Sequence, residues 1–387
     1  MKRIVSIDVV RGIAMIIMAL DHVRDLIHVD SINQSPTNLA TTTPLLFFTR
    51  WITYLCAPIF VFLAGTSAYL SFQKKTDVAQ SRAFLFKRGF WLIVLEFTLV
   101  NFGLFLDPGF HTFIFEVIAA IGFGFILLGL LLSLSPRIIG IIGLLIMFGH
   151  NLFSLLPLAD GSVAKTILSP LFGMAAFPLL TQTVLVIAYP PLPWLGIMLV
   201  GFASGTFFKM PVLKRQNLFL KLGVVALLLF IVLRFINVYG DPVPWAEQKD
   251  KVYTFLSFMN VTKYPPSLAF SLVTLGFMFL LLAGAERVTG SFQKVTTVYG
   301  KVPLFYFLLH FYLIHFLLIL ILLLQGFGWN EMDFASGTFG RPKGVQSGLP
   351  LWSIYLIYFF VVFILYRPCK MFGRYKATHN QWWLKYI

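Results

Sequence analysis

The sequence predicts an all-α fold: a polytopic integral membrane bundle of about ten transmembrane helices. Hydrophobic residues make up 58% of the 387 residues and charged residues only 12%, whereas soluble domains carry about 25% charged residues. Long apolar runs also follow one another with short polar joints, and about 20 mostly apolar residues suffice to cross a bilayer. The whole chain, residues 1–387, is therefore predicted to be a single membrane domain.

Ten apolar runs are visible along the chain. The first follows two basic residues and leads into charged residues without a small-residue cleavage site, so we expect a retained helix and no signal peptide. The runs lie near residues 4–27, 46–72, 84–105, 112–134, 138–157, 192–208, 217–238, 267–285, 301–324 and 350–366. A further apolar segment, 166–191, contains four prolines, which kink or break helices. It is either an eleventh span or a re-entrant piece buried in protein.

The distribution of basic residues predicts the orientation. Lys and Arg exceed Asp and Glu by 15, and basic residues are retained in cytoplasmic loops. With ten spans and the N-terminus inside, the cytoplasmic segments hold 20 Lys and Arg and the outside loops six. If 166–191 crossed, the basic C-terminal tail would face outside, so ten spans with both termini cytoplasmic are favoured. The basic balance thus reflects topology, and nucleic acid is not expected as a partner.

The first helix carries the most polar residues. Ionisable groups inside spans are costly and mark functional candidates. Asp8 and Arg11 lie three residues apart and can pair on one face. His22 follows Arg11 by eleven residues, which returns it to within about 20° of that face, roughly 16 Å further along the axis. Asp21 and Asp25 lie beside it, so a carboxylate can orient this imidazole as a general base requires. The alternatives are a structural ion pair, and a histidine bonded to a backbone carbonyl.

Other polar residues are expected at the same level. Arg24 follows His22 on the first helix, and Arg50 begins the second span, where snorkelling is the alternative explanation. The sequence Lys263-Tyr264 precedes the eighth run, and His310 lies near mid-membrane, either bonding a neighbouring helix or acting in catalysis. We predict that Asp21, His22, Arg24, Arg50, Lys263 and Tyr264 line one cavity in the outer half, with His310 deeper on its wall. Glu116 and Tyr189 are further outward polar residues, and no metal motif such as HExxH is present.

Five segments together resemble a known family. They are RIVSIDVVRGIAMIIMALDHVRD, FFTRWITYLCAPIFVFLAGTSAYLSF, YPPLPWLGIMLVGFASG, KYPPSL and YGKVPLFYFLLHFYLIH. Together they look like the bacterial membrane proteins of the heparan-α-glucosaminide N-acetyltransferase catalytic-domain family. A wider superfamily of transmembrane acyltransferases has an Arg, ten residues and then a His on the first helix, and Arg11 and His22 match that spacing.

The resemblance implies an enzyme of the bacterial cytoplasmic (inner) membrane. Such an enzyme moves an acyl group, usually acetyl from acetyl-CoA, across the membrane to an amine or hydroxyl of an extracytoplasmic glycan. Acyl-CoA is then a co-substrate, with no permanently bound cofactor, and membrane lipids and a homo-oligomeric partner are the other expected contacts. The catalytic histidine in this picture is His22, with His28 and His310 as alternatives.

Acyl transfer needs a base or a nucleophile, and His22 can serve as either. Arg24 or Arg50 can stabilise an oxyanion or bind a sugar carboxylate or a phosphate. On the cytoplasmic side, Asp8 and Arg11 are either structural or near the acyl-CoA. Four further basic residues are either binders of the CoA phosphates or topology determinants: Lys75, Arg82, Lys87 and Arg88. The rival function is a transporter or carrier of a small or lipid-linked substrate, which also needs buried charge and a broken helix. A scaffold or sensor without chemistry is the third.

Overall fold

The computed structural model describes residues 4–74, 77–155, 159 and 162–386. The helices are α1 (Val5–Ile27), α2 (Pro44–Thr53), α3 (Cys56–Phe72), α4 (Val78–Leu95), α5 (Asn101–Phe105), α6 (Val117–Leu131), α7 (Pro136–Gly149), α8 (Val163–Phe172), α9 (Pro191–Ser204), α10 (Val212–Ile236), α11 (Lys251–Met259), α12 (Leu268–Ala285), α13 (Gly290–Gly300), α14 (Pro303–Leu324) and α15 (Leu351–Thr378). Short 3-10 turns lie at His150–Leu155, Gly205–Lys209, Trp329–Glu331 and Trp382–Lys385, and a π-helical turn at Glu96–Val100 joins α4 to α5.

Each predicted apolar run contains helix, although the fourth run, 112–134, begins with the strand Thr112–Phe115. Within the described residues, seven helical segments are long and apolar enough to cross a membrane: Pro44–Phe72, Pro136–Phe153, Pro191–Lys209, Val212–Ile236, Leu268–Ala285, Pro303–Leu324 and Leu351–Thr378. The remaining three runs differ in charge or length. The helix α1 carries several charged side chains, and α4, which continues into the π turn, contains basic residues. The helix α6 has only 15 residues, fewer than the other spanning segments. The polytopic all-α membrane fold is confirmed.

The proline-containing segment 166–191 is not an eleventh spanning helix, and of its residues whose burial is described only Tyr189, Pro190 and Pro191 are buried in protein. It continues the short helix α8, in which no described side chain is buried, and then forms a hairpin of β2 (Ala175–Leu180) and β3 (Thr183–Ile187). A third strand, β1 (Thr112–Phe115), pairs parallel with β3, giving the order β1-β3-β2. The β-branched sequence of β3 favours a strand, and Pro178 is tolerated because β2 is an edge strand.

The helix α1 lies at the centre of the bundle. It packs against α3, α12, α13, α14 and α15, and Val9, Val10 and Ala14 are fully buried. Its contact with α13 is very close, since a Cβ added to Gly12 would lie 1.9 Å from the Thr296 carbonyl oxygen. Small residues allow such backbone approach between membrane helices. The polar stripe of α1 therefore faces the protein interior.

Candidate functional site

The N-terminal half of α1 carries the predicted ion pair. Asp8 and Arg11 lie 3.7 Å apart between carboxylate and guanidinium, which confirms the pairing. Arg11 also donates to Ser67 Oγ on α3 at 2.9 Å and to the Gly300 carbonyl at the end of α13 at 3.4 Å. Arg11 thus joins three helices at the end of the bundle where α1 begins.

One turn near the other end of α1 holds a buried charge cluster. Oδ1 of Asp21 accepts hydrogen bonds from Arg24 at 2.8 Å and from Arg50 at 2.5 Å. Lys263 Nζ approaches Oδ2 of the same carboxylate at 3.9 Å, and Arg24 also pairs with Asp25 at 2.7 Å. Charge-assisted bonds of this kind are the strong ones. The cluster therefore fixes α1, α2 and the loop before α12 against one another.

A second network positions Lys263 and Tyr264. The Asp241 carboxylate accepts from the backbone N–H and hydroxyl of Thr262, both at 2.9 Å, and from Ser267 Oγ at 2.6 Å. Ser267 also caps α12, accepting from the Phe270 N–H at 3.0 Å. The loop between them cannot move without breaking these bonds, so the buried ammonium of Lys263 stays directed at Asp21.

The His22 imidazole packs among rings of α14. Its ring centroid lies 4.4 Å from that of Phe311, 5.0 Å from that of His310 and 6.5 Å from that of Phe307. The carboxylates of Asp21 and Asp25 bond to arginines, and in the described part of the chain neither makes a hydrogen bond to His22. The interpretation that one of them holds the imidazole tautomer therefore has no contact to support it.

His310 lies behind His22 in the protein interior. It is fully buried, and its Nδ1 donates to the Phe307 carbonyl at 2.5 Å. A carbonyl only accepts, so the proton is on Nδ1 and Nε2 is left as an acceptor. No described residue provides a hydrogen bond to Nε2. His310 is thus deeper than His22, as predicted, but it supports that ring and does not line the cavity.

Most predicted residues line one cavity, here called the His22 cavity, of about 280 Å³. Its titratable lining residues are Asp21, His22, Asp25, Cys56, Glu116, Tyr189, Lys263 and Tyr264. Arg24 and Arg50 line an adjoining cavity of about 390 Å³, which shares Asp25, Lys263 and Tyr264 with it. The predicted cluster therefore converges, but across two adjoining compartments.

A separate cavity, here called the Arg11 cavity, lies nearer the start of α1. Its volume is about 300 Å³, and its basic lining residues are Arg11, Arg88, Lys301 and Lys376. Phe60, Val117 and Phe307 line both this cavity and the His22 cavity. A thin apolar wall thus separates the two, and α1 contributes residues to each.

Other predicted residues lie elsewhere. Nδ1 of His28 accepts from the Asp30 N–H at 3.3 Å, and its carbonyl accepts from Arg341 at 2.8 Å, so His28 anchors a loop and lines neither cavity. Of the four basic residues proposed for CoA, Arg88 lines the Arg11 cavity. Arg82 instead donates to the Gly129 carbonyl at 3.0 Å, Lys87 is exposed, and Lys75 lies outside the described residues. Two further basic residues of this cavity, Lys301 and Lys376, were not predicted as site residues. From the sequence they contributed only to the count of cytoplasmic Lys and Arg residues.

The catalytic-domain model of heparan-α-glucosaminide N-acetyltransferase matches residues 3–236, more than half of the chain. The chain belongs to this family. Membership implies a membrane acetyltransferase. No curated protein matches the chain significantly. Within this acetyltransferase, the matched region supplies Arg11 and His22, whereas Lys263, Tyr264 and His310 lie beyond it.

Proposed function

We propose that the protein transfers an acetyl or other acyl group from acyl-CoA to an amine or hydroxyl of an extracytoplasmic glycan-type acceptor. The single observation that carries this proposal is the pair of cavities on either side of the wall formed by Phe60, Val117 and Phe307. A group that crosses this wall passes from a basic compartment to one that contains an imidazole. Acyl transfer across a membrane needs that arrangement.

The Arg11 cavity suits the donor. Four basic side chains line it, and guanidinium groups recognise phosphate through paired hydrogen bonds. Its apolar side, which includes Phe60 and Phe307, suits the uncharged arm that carries the thioester. The positive-inside rule favours a cytoplasmic location for this end of the bundle, on the side where acyl-CoA is available as co-substrate.

His22 is the group that receives the acyl chain. In the transfer, the thioester carbon bonds to an imidazole nitrogen as the C–S bond breaks, and the thiolate leaves with the proton that the imidazole gives up. The acceptor then attacks the acyl carbon from the His22 cavity, and the bond to His22 breaks. A nucleophilic residue of this kind divides one difficult step into two easier ones.

The alternative function, a transporter or carrier, is less well supported by the structure than by the sequence. It required a broken spanning helix in 166–191, and that segment is a short helix followed by a β-hairpin. The charges of Asp21 and Asp25 are also balanced by those of Arg24 and Arg50, so no mobile ion is needed to explain these two carboxylates.

The decisive experiment uses the purified full chain in proteoliposomes with radiolabelled acetyl-CoA on one side and glucosamine, as a probe amine, on the other. We expect labelled N-acetylglucosamine, made only when donor and acceptor are on opposite sides in the correct orientation. A parallel assay uses labelled glucosamine and unlabelled acetyl-CoA, and uptake of unmodified labelled glucosamine without any acetylated product would instead support the transporter.

A further inference from the structure

The acid side chain of Glu116 lines the His22 cavity but was not among the predicted site residues. It lies between β1 and α6, directly before Val117, one of the three residues in the wall between the two cavities. Glu116 therefore lies close to where an acyl group passes from donor to acceptor. A cavity of about 280 Å³ is also near the lower limit of ligand sites, so an acceptor in it contacts both the α1 wall and the Glu116 wall.

Glu116 differs from the other carboxylates of this cavity. The charges of Asp21 and Asp25 are already compensated by Arg24 and Arg50. Among the described residues, no cation lies within ion-pair distance of Glu116. A carboxylate on a cavity wall without a bound cation is available to a positively charged ligand, because ion pairs are strengthened away from bulk water.

The fold holds Glu116 in place from both sides. The Asn101 amide donates to the Ile114 carbonyl at 3.0 Å and accepts from the Ile114 N–H at 2.8 Å. The next carbonyl, of Phe115, accepts from the N–H groups of Ala188 and Tyr189, both at 3.1 Å. On the far side, Glu96 accepts from the Ala119 N–H at 2.8 Å and fixes the first turn of α6. A side chain supported in this way is preorganised for ligand contact.

We propose that Glu116 is a further catalytic residue, which binds the ammonium form of an acceptor amine and takes its first proton. This inference rests on the proposed function. Amines near the pKa of an α-amino group, about 7.7–8.0, are mostly protonated at neutral pH, and an ammonium nitrogen has no lone pair with which to attack. Glu116 removes one proton and frees that lone pair. The amine then attacks the acyl carbon on His22, its second proton goes to the departing imidazole nitrogen, and Glu116 releases its own proton to water.

The charged and titratable groups that share the cavity with Glu116 come from four parts of the chain and must be considered in any pH profile. They are Asp21, His22 and Asp25 of α1, Cys56 of α3, Lys263 and Tyr264 of the loop before α12, and Tyr189 after β3, with Arg50 and Glu96 further away. All of these are shared by the wild type and by a Glu116 variant. A difference between their two profiles is therefore due to Glu116.

The test compares two acceptors in the purified full chain. Glucosamine carries an ammonium group, whereas hydroxylamine is largely unprotonated at neutral pH and needs no base to become a nucleophile. In Glu116→Gln we expect transfer to glucosamine to fall by about 10²-fold or more, and transfer to hydroxylamine to fall far less. Raising the pH should restore much of the glucosamine rate in this variant, because solvent then deprotonates the amine.

The matched control is Glu247→Gln. Glu247 is exposed and lines neither the His22 cavity nor the Arg11 cavity, so the same chemical change should leave the ratio of the two acceptor rates unchanged. If Glu116→Gln does not insert, Glu116→Asp serves, and it should keep the pH profile of the wild type at a reduced rate. An equal loss for both acceptors, or no loss for either, would overturn the role of Glu116. Absence of any acyl transfer by the folded wild type would instead overturn the proposed function itself.

Discussion

The imidazole rings of His22 and His310 lie 5.0 Å apart between centroids, with planes inclined by 59°. The first lines a cavity, and the second is held behind it by the bond to the Phe307 carbonyl. Two histidines in contact thus have different environments. Replacing each histidine in turn should show which ring reacts and which ring only supports the other.

His22→Ala should abolish acyl transfer while the protein remains folded and inserted. General-base contributions are about 10²–10⁴-fold, and losing a residue that also carries the acyl group should cost at least that much. The measurement is activity per amount of correctly inserted protein. His28→Ala is the control and should retain activity, because His28 lines neither cavity. Near-normal activity in His22→Ala, with loss in the His28 or His310 variant, would move the catalytic role to that residue.

Asp21→Asn should destabilise the protein strongly. Three cations surround this carboxylate, and removing one partner of a buried ion pair costs about 3–5 kcal/mol. Thermal unfolding in detergent measures the effect. The matched control is Asp333→Asn, whose partner Lys343 has a side chain 65% exposed; this change should cost at most about 1 kcal/mol. Equal stability losses in the two variants would contradict the cluster's structural role.

Arg88→Gln should weaken the use of acyl-CoA. Arg88 lines the Arg11 cavity, and its Nε is buried without a hydrogen-bond partner among the described residues. A hydrogen bond to a charged group contributes about 1.5–3 kcal/mol, so the KM for acyl-CoA should rise by about tenfold or more. The KM for glucosamine should change little. Arg137→Gln is the control, since Arg137 lines a different, largely apolar cavity. A rise in KM of similar size in both variants would argue against a donor site here.

Gly12→Ala should reduce the folded fraction. The added Cβ would collide with the Thr296 carbonyl of α13 at 1.9 Å, and overpacking a core typically costs about 1–3 kcal/mol. Gly284→Ala makes the same chemical change in α12 but meets no atom within 4 Å. It should be neutral or slightly stabilising, since alanine favours helix over glycine. The yield of monodisperse protein in detergent compares the two directly.

Reporter fusions test the topology. Fusions at 160, 250 and 340 should all report the outside, and a fusion after the C-terminal helix should report the inside, because basic residues concentrate in the opposite loops. Position 160 lies outside the described residues. An inside signal at 250 with an outside signal at the C-terminus would reverse the orientation of every later helix. It would place Lys301 and Lys376 on the side of the membrane opposite to Arg11 and Arg88, which contradicts the Arg11 cavity that these four residues line together.

The helices and the α1 stripe could be predicted because each depends on local periodicity. Asp8, Arg11 and His22 share a face through the 3.6-residue repeat, which holds whatever packs around the helix. The hairpin in 166–191 could not be predicted from hydrophobicity, since apolar strands and apolar spans have similar composition. What distinguishes β3 is its parallel pairing with β1, in which Val184 lies opposite Thr112, 72 residues earlier in the sequence.

The partners of the site residues were less predictable. Asp21 was expected to orient its neighbour His22, but it bonds to Arg50 on another helix, and sequence spacing does not reveal such a contact. Glu116 gave a weak signal, as an acidic residue at the edge of an apolar run. Its place opposite α1 follows from the strand pairing and from Asn101, both of which are tertiary features.

The family match ends at residue 236, yet Lys263, Tyr264, Phe307 and Phe339 complete the wall of the His22 cavity. The compartment assigned to the acceptor is thus assembled from both the matched and the unmatched part of the chain. Substitutions after residue 236 can therefore change which acceptor is recognised while the segment that defines the family stays the same. Relatives grouped by that segment alone should include enzymes of differing acceptor preference, and sorting them requires the residues aligned with Lys263 and Phe339.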